Sequence, residues 1–168
     1  MKKGKLNIIV GVVGCGKSTY INSVKKEDDV VISSDDIREE IYGDAENQQN
    51  AGLVFSIFHG RIADALVKGK TVWADATNLS KIARKEFYKY AKGFAINSHI
   101  IVASLEKCKE QNNSRSRKVP NDVIERMYNN IELPNNEPTG TIVVRNIDGK
   151  YIITKYNGET YEELVRSE

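Results

Sequence analysis

The chain has 168 residues, with 25 Lys and Arg against 23 Asp and Glu for a net charge of +2, and 40% of its residues are hydrophobic. At one domain per roughly 150 residues this length predicts a single domain over 1–168 and excludes two independent enzymes, and burial of about 70% of the unfolded surface suffices for a core without disulfides or a structural metal. The near-balanced charge excludes a polycationic surface that grips duplex nucleic acid through many phosphates, but not an acceptor held by a few local charges.

The first residues, MKKGK and then LNIIVGVVGCG at 6–16, imitate a signal peptide. The apolar run is short and passes without a break into GKST, so cleavage would destroy a better-defined motif, and a cytoplasmic protein without a membrane span is expected. LNIIV at 6–10 predicts a strand, and GVVGCGKS at 11–18 follows it as GxxxxGK[ST] before a helix expected over 18–26. In that context Gly11, Gly14 and Gly16 let the backbone curl, so that the N–H groups of the loop, Cys15 and Thr19 included, cradle phosphate oxygens. Lys17 would reach the β- and γ-phosphates of ATP and Ser18 would offer its hydroxyl to Mg²⁺. Cys15 is expected as a small filler whose place near a helix N-terminus lowers its thiol pKa. Only one other cysteine, Cys108, is present and neither lies in a CxxC pair, which points to a reducing compartment.

VVIS at 30–33 predicts the second strand, running into SSDDIREE and a helix over 36–42. Asp35 falls at that strand's carboxyl end and Arg38 about one turn into the helix, where an open α/β sheet binds its ligands. A carboxylate there can take a proton from an attacking hydroxyl and an arginine can hold an anionic group of the acceptor, although aspartates also suit a helix start. A helix over about 47–68 carries the apolar stripe Val54, Ile57, Phe58, Ile62, Ala65 and Leu66, expected to face the core. TVWA at 71–74 predicts a third strand that ends at Asp75, which could hold Mg²⁺ through water or serve the turn DATN. Helices are expected over 80–92, 105–113 and 121–131, and a strand over 99–104. QNNSRSRKVP at 111–120 sets Arg115, Arg117 and Lys118 between two helices; such residues are often merely solvated, but opposite a phosphate loop they suit a closing lid. TIVVR at 141–145 predicts a fifth strand, continued by a DG-containing hairpin and a short terminal helix without a chemical signature. His59 and His99 adjoin none of these motifs and are expected to be structural.

Four elements in this order, GxxxxGKST, SSDDIR, DATNL and QNNSRSRKVPNDVIERMY, resemble the P-loop kinases related to phage polynucleotide 5′-kinase and to zeta-toxin-like kinases. The likeness covers residues 6 to about 138. It implies a three-layer α/β P-loop NTPase fold with a parallel five-stranded sheet ordered 2-3-1-4-5, carrying a C-terminal hairpin and helix. It also implies that Lys17 and Ser18 bind ATP and Mg²⁺, that Asp35 is general base toward a 5′-hydroxyl, that Arg38 meets the acceptor's neighbouring phosphate, and that Arg115 is the lid arginine. Gln111 stands where relatives often carry an arginine, which gives Arg117 a possible share in the lid. Asp75 falls one residue earlier than the aspartate of the phage enzyme's DTN turn, as in the broader group of kinases with undefined acceptors.

The expected function is transfer of the γ-phosphate of ATP to 5′-hydroxyl ends of single-stranded DNA or RNA, with a ligase as a candidate downstream partner. A small-molecule kinase acting on a nucleoside, sugar or peptidoglycan precursor uses the same fold, because function belongs to the site. A nucleotide switch or binding module is the third reading, but no NKxD motif is present and the Asp35/Arg38 pair would have no task in it. No DxDxT phosphatase signature occurs, so a 3′-end-healing step would fall to another protein.

Overall fold

The computed structural model describes residues 3–45, 47–116 and 118–166. In chain order the elements are β1 Lys5–Val10, α1 Lys17–Val24, β2 Val30–Ser33, α2 Ser34–Tyr42, α3 Ala51–Val67, β3 Thr71–Asp75, α4 Lys81–Tyr90, β4 Ala95–Val102, α5 Leu105–Asn113, α6 Asn121–Asn129, β5 Gly140–Ile147, β6 Lys150–Lys155 and α7 Tyr161–Arg166. Side chains fix several helix starts: Ser33, Asn50, Ser80 and Ser104 each accept from a backbone N–H three residues on. Asn50 does so at φ 47°, a break that starts α3 at 51 rather than near 47.

The sheet order is β2-β3-β1-β4-β5-β6. The first five strands follow the expected order and are parallel, but the expectation of a five-stranded parallel sheet is corrected, because β6 extends it as a sixth strand antiparallel to β5. The cause lies in the turn. Asp148 and Gly149 both have positive φ, 50° and 86°, the geometry of a two-residue hairpin whose twist matches its strands. The chain therefore returns within the sheet and pairs Ile147 with Lys150.

Alternation along the strands divides the interior into two sides. Leu6, Ile8 and Val10 of β1 face Val54, Phe58 and Ile62 of α3 and Phe87 of α4. Ile9, Trp73 and Ile101 on the opposite face meet Tyr20 and Ile21 of α1, Cys108 of α5 and Ile124 of α6. Tyr161 and Leu164 of α7 cover Ile100 and Val143. Each fully buried aliphatic or aromatic side chain contributes about 1.5–3 kcal/mol, so helices on both faces hold the strands' carboxyl ends in fixed relation. There Val10 opens the phosphate loop, and Ser33 of β2 pairs in register with Asp75 of β3.

Candidate active site

The loop between β1 and α1 is shaped by glycines at two points. Gly14 has φ 83°, and a Cβ there would lie 2.2 Å from the Cys108 carbonyl oxygen; Gly16 has φ 95°, and a Cβ would lie 2.6 Å from the Asn146 amide nitrogen. Only glycine fits both. Gly16 is also the N-cap of α1 and provides no side-chain cap, which leaves the first N–H groups of the helix for anionic oxygens. The Lys17 ammonium donates to the Val12 carbonyl at 3.0 Å, within the loop's own span. The Ser18 hydroxyl donates to Asp75 Oδ2 at 3.1 Å, so the expected hydroxyl and carboxylate are brought together.

Burial raises the Asp75 pKa, opposed by Lys17 and the Ser18 hydrogen bond and reinforced by Asp35 and Asp36. These acidic groups therefore share one electrostatic neighbourhood. A hard-oxygen pair of one hydroxyl and one carboxylate suits Mg²⁺, which keeps several waters and takes further oxygens from a substrate's phosphates. Among the described residues no group of three or more His, Cys, Asp or Glu forms a self-sufficient metal cage.

Asp35 and Arg38 both lie in α2, and the Arg38 guanidinium donates to Asp35 Oδ1 at 2.9 Å. Arg38 is buried apart from this edge, its guanidinium carbon 5.6 Å from the centre of the Phe55 ring, and its buried Nε has no hydrogen-bond partner among the described residues. The Asp36 backbone N–H donates to the Ser33 hydroxyl, and Asp36, like Asp35, is exposed.

The thiol expectation is corrected. Cys15 is fully buried and desolvation raises its pKa, outweighing Lys17 and the backbone N–H groups that favour the thiolate. The basic segment after α5 is closed at its base by Asn112, whose side chain exchanges hydrogen bonds with Val119 at 2.6 and 2.9 Å. Arg115 lies within that closed segment, half-buried, its N–H on the Asn112 carbonyl, and among the described residues no hydrogen bond or ion pair joins its side chain to the phosphate loop. Arg117, the other expected lid arginine, lies outside the described residues.

Three groups of residues were not singled out by the sequence. The Asn146 amide donates to the Cys15 carbonyl at 3.0 Å and accepts from Gly149 N–H, and the Tyr151 hydroxyl donates to the Gly16 carbonyl at 2.9 Å and engages Thr19. The C-terminal hairpin is thus a brace on the loop. Asn78 of the DATN turn, at φ 47°, donates to the Ile9 carbonyl at 2.8 Å and ties the end of β3 to the end of β1. Beneath it the fully buried Arg84 donates to the Asn78 carbonyl, the Glu132 carbonyl and both oxygens of Glu137. The DATN motif contains the second of these, Asn78; the partners of the other two lie far along the chain.

A family model described as an AAA domain matches residues 6–134. The chain belongs to that family. With this membership goes the P-loop kinase fold, which the chain shares with the solved structures that follow. A chain of the Pnkp1/Rnl/Hen1 RNA repair complex is 20% identical with a TM-score of 0.68, the match covering 76% of this chain and 43% of that one. The chain therefore spans less than half of that repair protein. A gluconokinase from Sinorhizobium meliloti 1021 is 17% identical with a TM-score of 0.59, over 99% of this chain and 90% of that one. Kti12 of Chaetomium thermophilum, solved with ADP-AlF3, is 17% identical with a TM-score of 0.62, over 85% and 91% of the two chains. What these structures share with the chain is the fold, a P-loop kinase fold of the kind that binds ATP. Among the described residues no helix is long and apolar enough to cross a membrane.

Proposed function

We propose that the protein transfers the γ-phosphate of ATP to the 5′-hydroxyl of a DNA or RNA end. The observation that carries this reading is the Asp35–Arg38 pair, held at 2.9 Å in the helix that follows β2, beside the strand end that bears Asp75 and the loop that bears Lys17. A carboxylate with a buried guanidinium beside it suits an acceptor that brings both a hydroxyl and a neighbouring anionic group.

In this scheme Lys17 and the N–H groups of residues 14–19 hold the ATP phosphates. Ser18 and Asp75 would hold Mg²⁺, which when bound offsets phosphate charge. A cavity of about 300 Å³ between α5 and the β5–β6 turn, lined by Lys107, Gln111 and Asn146 among others, leaves room beside the braced loop for the rest of the nucleotide. Asp35 accepts the proton of the 5′-hydroxyl as its oxygen bonds to the γ-phosphorus; the bond from that phosphorus to the β–γ bridging oxygen breaks, and ADP leaves. Arg38 holds the acceptor's adjoining phosphate, and Arg115, with Arg117, adds positive charge when the basic segment closes over the phosphates. A 5′-phosphate end is consumed by strand joining, which makes a ligase the fitting downstream partner, and Cys15 and Cys108, neither in a disulfide among the described residues, suit a reducing cytoplasm.

The test separates two adjacent carboxylates. Asp35→Asn should lower kcat on a 5′-hydroxyl oligonucleotide by about 10²- to 10⁴-fold with its thermal midpoint kept, whereas Asp36→Asn should stay near wild type. Full activity in Asp35→Asn, or its loss in Asp36→Asn alone, would reverse the assignment.

A further inference from the structure

A cavity of about 590 Å³ opens between α3 and α4. From α3 it takes Gly52, Phe55 and His59, three to four residues apart and so on one helix face, with Ser56 beside them; from α4 it takes Ala83 and Glu86, and Asn78 joins from the DATN turn. Two of these residues tie it to the reaction centre. The Phe55 ring carries the Arg38 guanidinium that pairs with Asp35, and the Asn78 amide donates to the Ile9 carbonyl near the end of β1, just before the phosphate loop.

The chemistry of the lining is selective. His59 is fixed by the Tyr90 hydroxyl at 2.6 Å and stands edge-on to Phe58 and Phe87, at interplanar angles of 79° and 72°. Burial lowers its pKa, so it presents a neutral ring. Glu86 is the one charged residue of the described lining, and it repels a second phosphate or a carboxylate. His59 Nδ1 is engaged by Tyr90 and the Asn78 amide nitrogen by the Ile9, Ala74 and Ala76 carbonyls, which leaves Ser56 and Glu86 as polar partners, fewer than a sugar's hydroxyls require, whereas the flat rings suit a flat uncharged group. The buried Nε of Arg38, without a partner among the described residues, keeps donor capacity for an anion next to this group.

We propose that this cavity is a nucleobase subsite, in which the acceptor's base stacks against Phe55 and His59 while Arg38 takes the adjoining phosphate. The inference rests on the kinase reading of Asp35 and Arg38 and deepens it. It assigns the acceptor to the nucleotides, and it makes Phe55, His59 and Glu86 specificity residues. Stacking tolerates any base, so the subsite reads the presence of a base and not its identity.

The experiment compares two acceptors that both carry a 5′-hydroxyl and a 3′-phosphate and differ only in the base: 2′-deoxyadenosine 3′-phosphate and an abasic 1,2-dideoxyribose 3′-phosphate. Wild type should favour the base-bearing acceptor by about tenfold to hundredfold in kcat/KM. Phe55→Ala should bring that ratio close to one. Because Phe55 also packs on the core, the second variant is Ala83→Trp, which fills the cavity from an exposed position and should flatten the ratio in the same way. Equal use of both acceptors by wild type, or a preference that survives both substitutions, would overturn the base subsite and leave the 5′-kinase reading standing. Phosphorylation of neither acceptor would overturn the kinase reading itself, and the subsite with it.

Discussion

His99 sits in β4 beneath α1, where its Nε2 meets the amide oxygen of Asn7 at 3.0 Å and its Nδ1 meets the Tyr20 hydroxyl at 2.9 Å. An amide oxygen only accepts, so Nε2 carries the proton and Nδ1 accepts from Tyr20, whose own pKa burial pushes up to about 12. The ring is satisfied as the neutral form, and burial lowers its pKa from 6.5 to about 4. Between those values the unfolded chain binds a proton that the folded chain refuses. The stabilisation is therefore present above pH 6.5 and is lost as pH falls toward 4. Urea unfolding of wild type should lose about 2 kcal/mol between pH 7 and pH 5 from this group, and His99→Gln should lack that part of the fall. An identical fall in the variant would remove His99 as the cause. The prediction bears on the site because Tyr20 belongs to the helix that begins at the phosphate loop.

At the scale of elements, the β5–β6 hairpin both lengthens the sheet and holds two carbonyls of the loop, those of Cys15 and Gly16. Pinning these carbonyls outward keeps the neighbouring N–H groups turned toward a bound phosphate. Asn146→Ala and Tyr151→Phe should each weaken ADP binding by about threefold to tenfold, the worth of one net hydrogen bond, with calorimetry as the measure. Unchanged affinity in both variants would reduce the hairpin to an edge cover. Local signals were legible: β2 at 30–33 and α5 at 105–113 were read to the residue because a serine ends or follows each strand run and caps the next helix. β4 was read too short at its start because Asn97 and Ser98 look like loop residues, yet Ser98 is fully buried, its hydroxyl against that of Thr139. The brace was hidden because its partners lie 131 and 135 residues apart. Arg84 was hidden for the same reason: an arginine in an amphipathic helix reads as surface until Glu137, 53 positions on, is folded against it. The loop itself needed no such distance, since its glycines, lysine and serine are neighbours in sequence.

For the whole molecule, parallel strands with helices on both faces bring every chemical group to one edge of the sheet. β1 delivers the phosphate loop, β2 delivers Asp35 and Arg38, and β3 delivers Asp75 and the DATN turn, while α3 and α4 leave the 590 Å³ cavity beside them. The same fold serves the gluconokinase and the RNA-repair chain, so the acceptor is decided by this edge and not by the architecture. In the proposed scheme Arg38 is the residue that discriminates between acceptors. Arg38→Ala should cost kcat/KM on a nucleoside 3′-phosphate by roughly tenfold to hundredfold and remove most of the preference over the bare nucleoside, since a charged hydrogen bond is lost only with the phosphorylated acceptor. The most direct measurement is transfer of labelled γ-phosphate from ATP, with Mg²⁺ and without it, to a panel of 5′-hydroxyl DNA, 5′-hydroxyl RNA, nucleosides and sugar acids. The account predicts label on the 5′-hydroxyl of the nucleic acids, dependent on Mg²⁺ and absent in Lys17→Ala. Label confined to a sugar acid, or undiminished in Lys17→Ala, would contradict it.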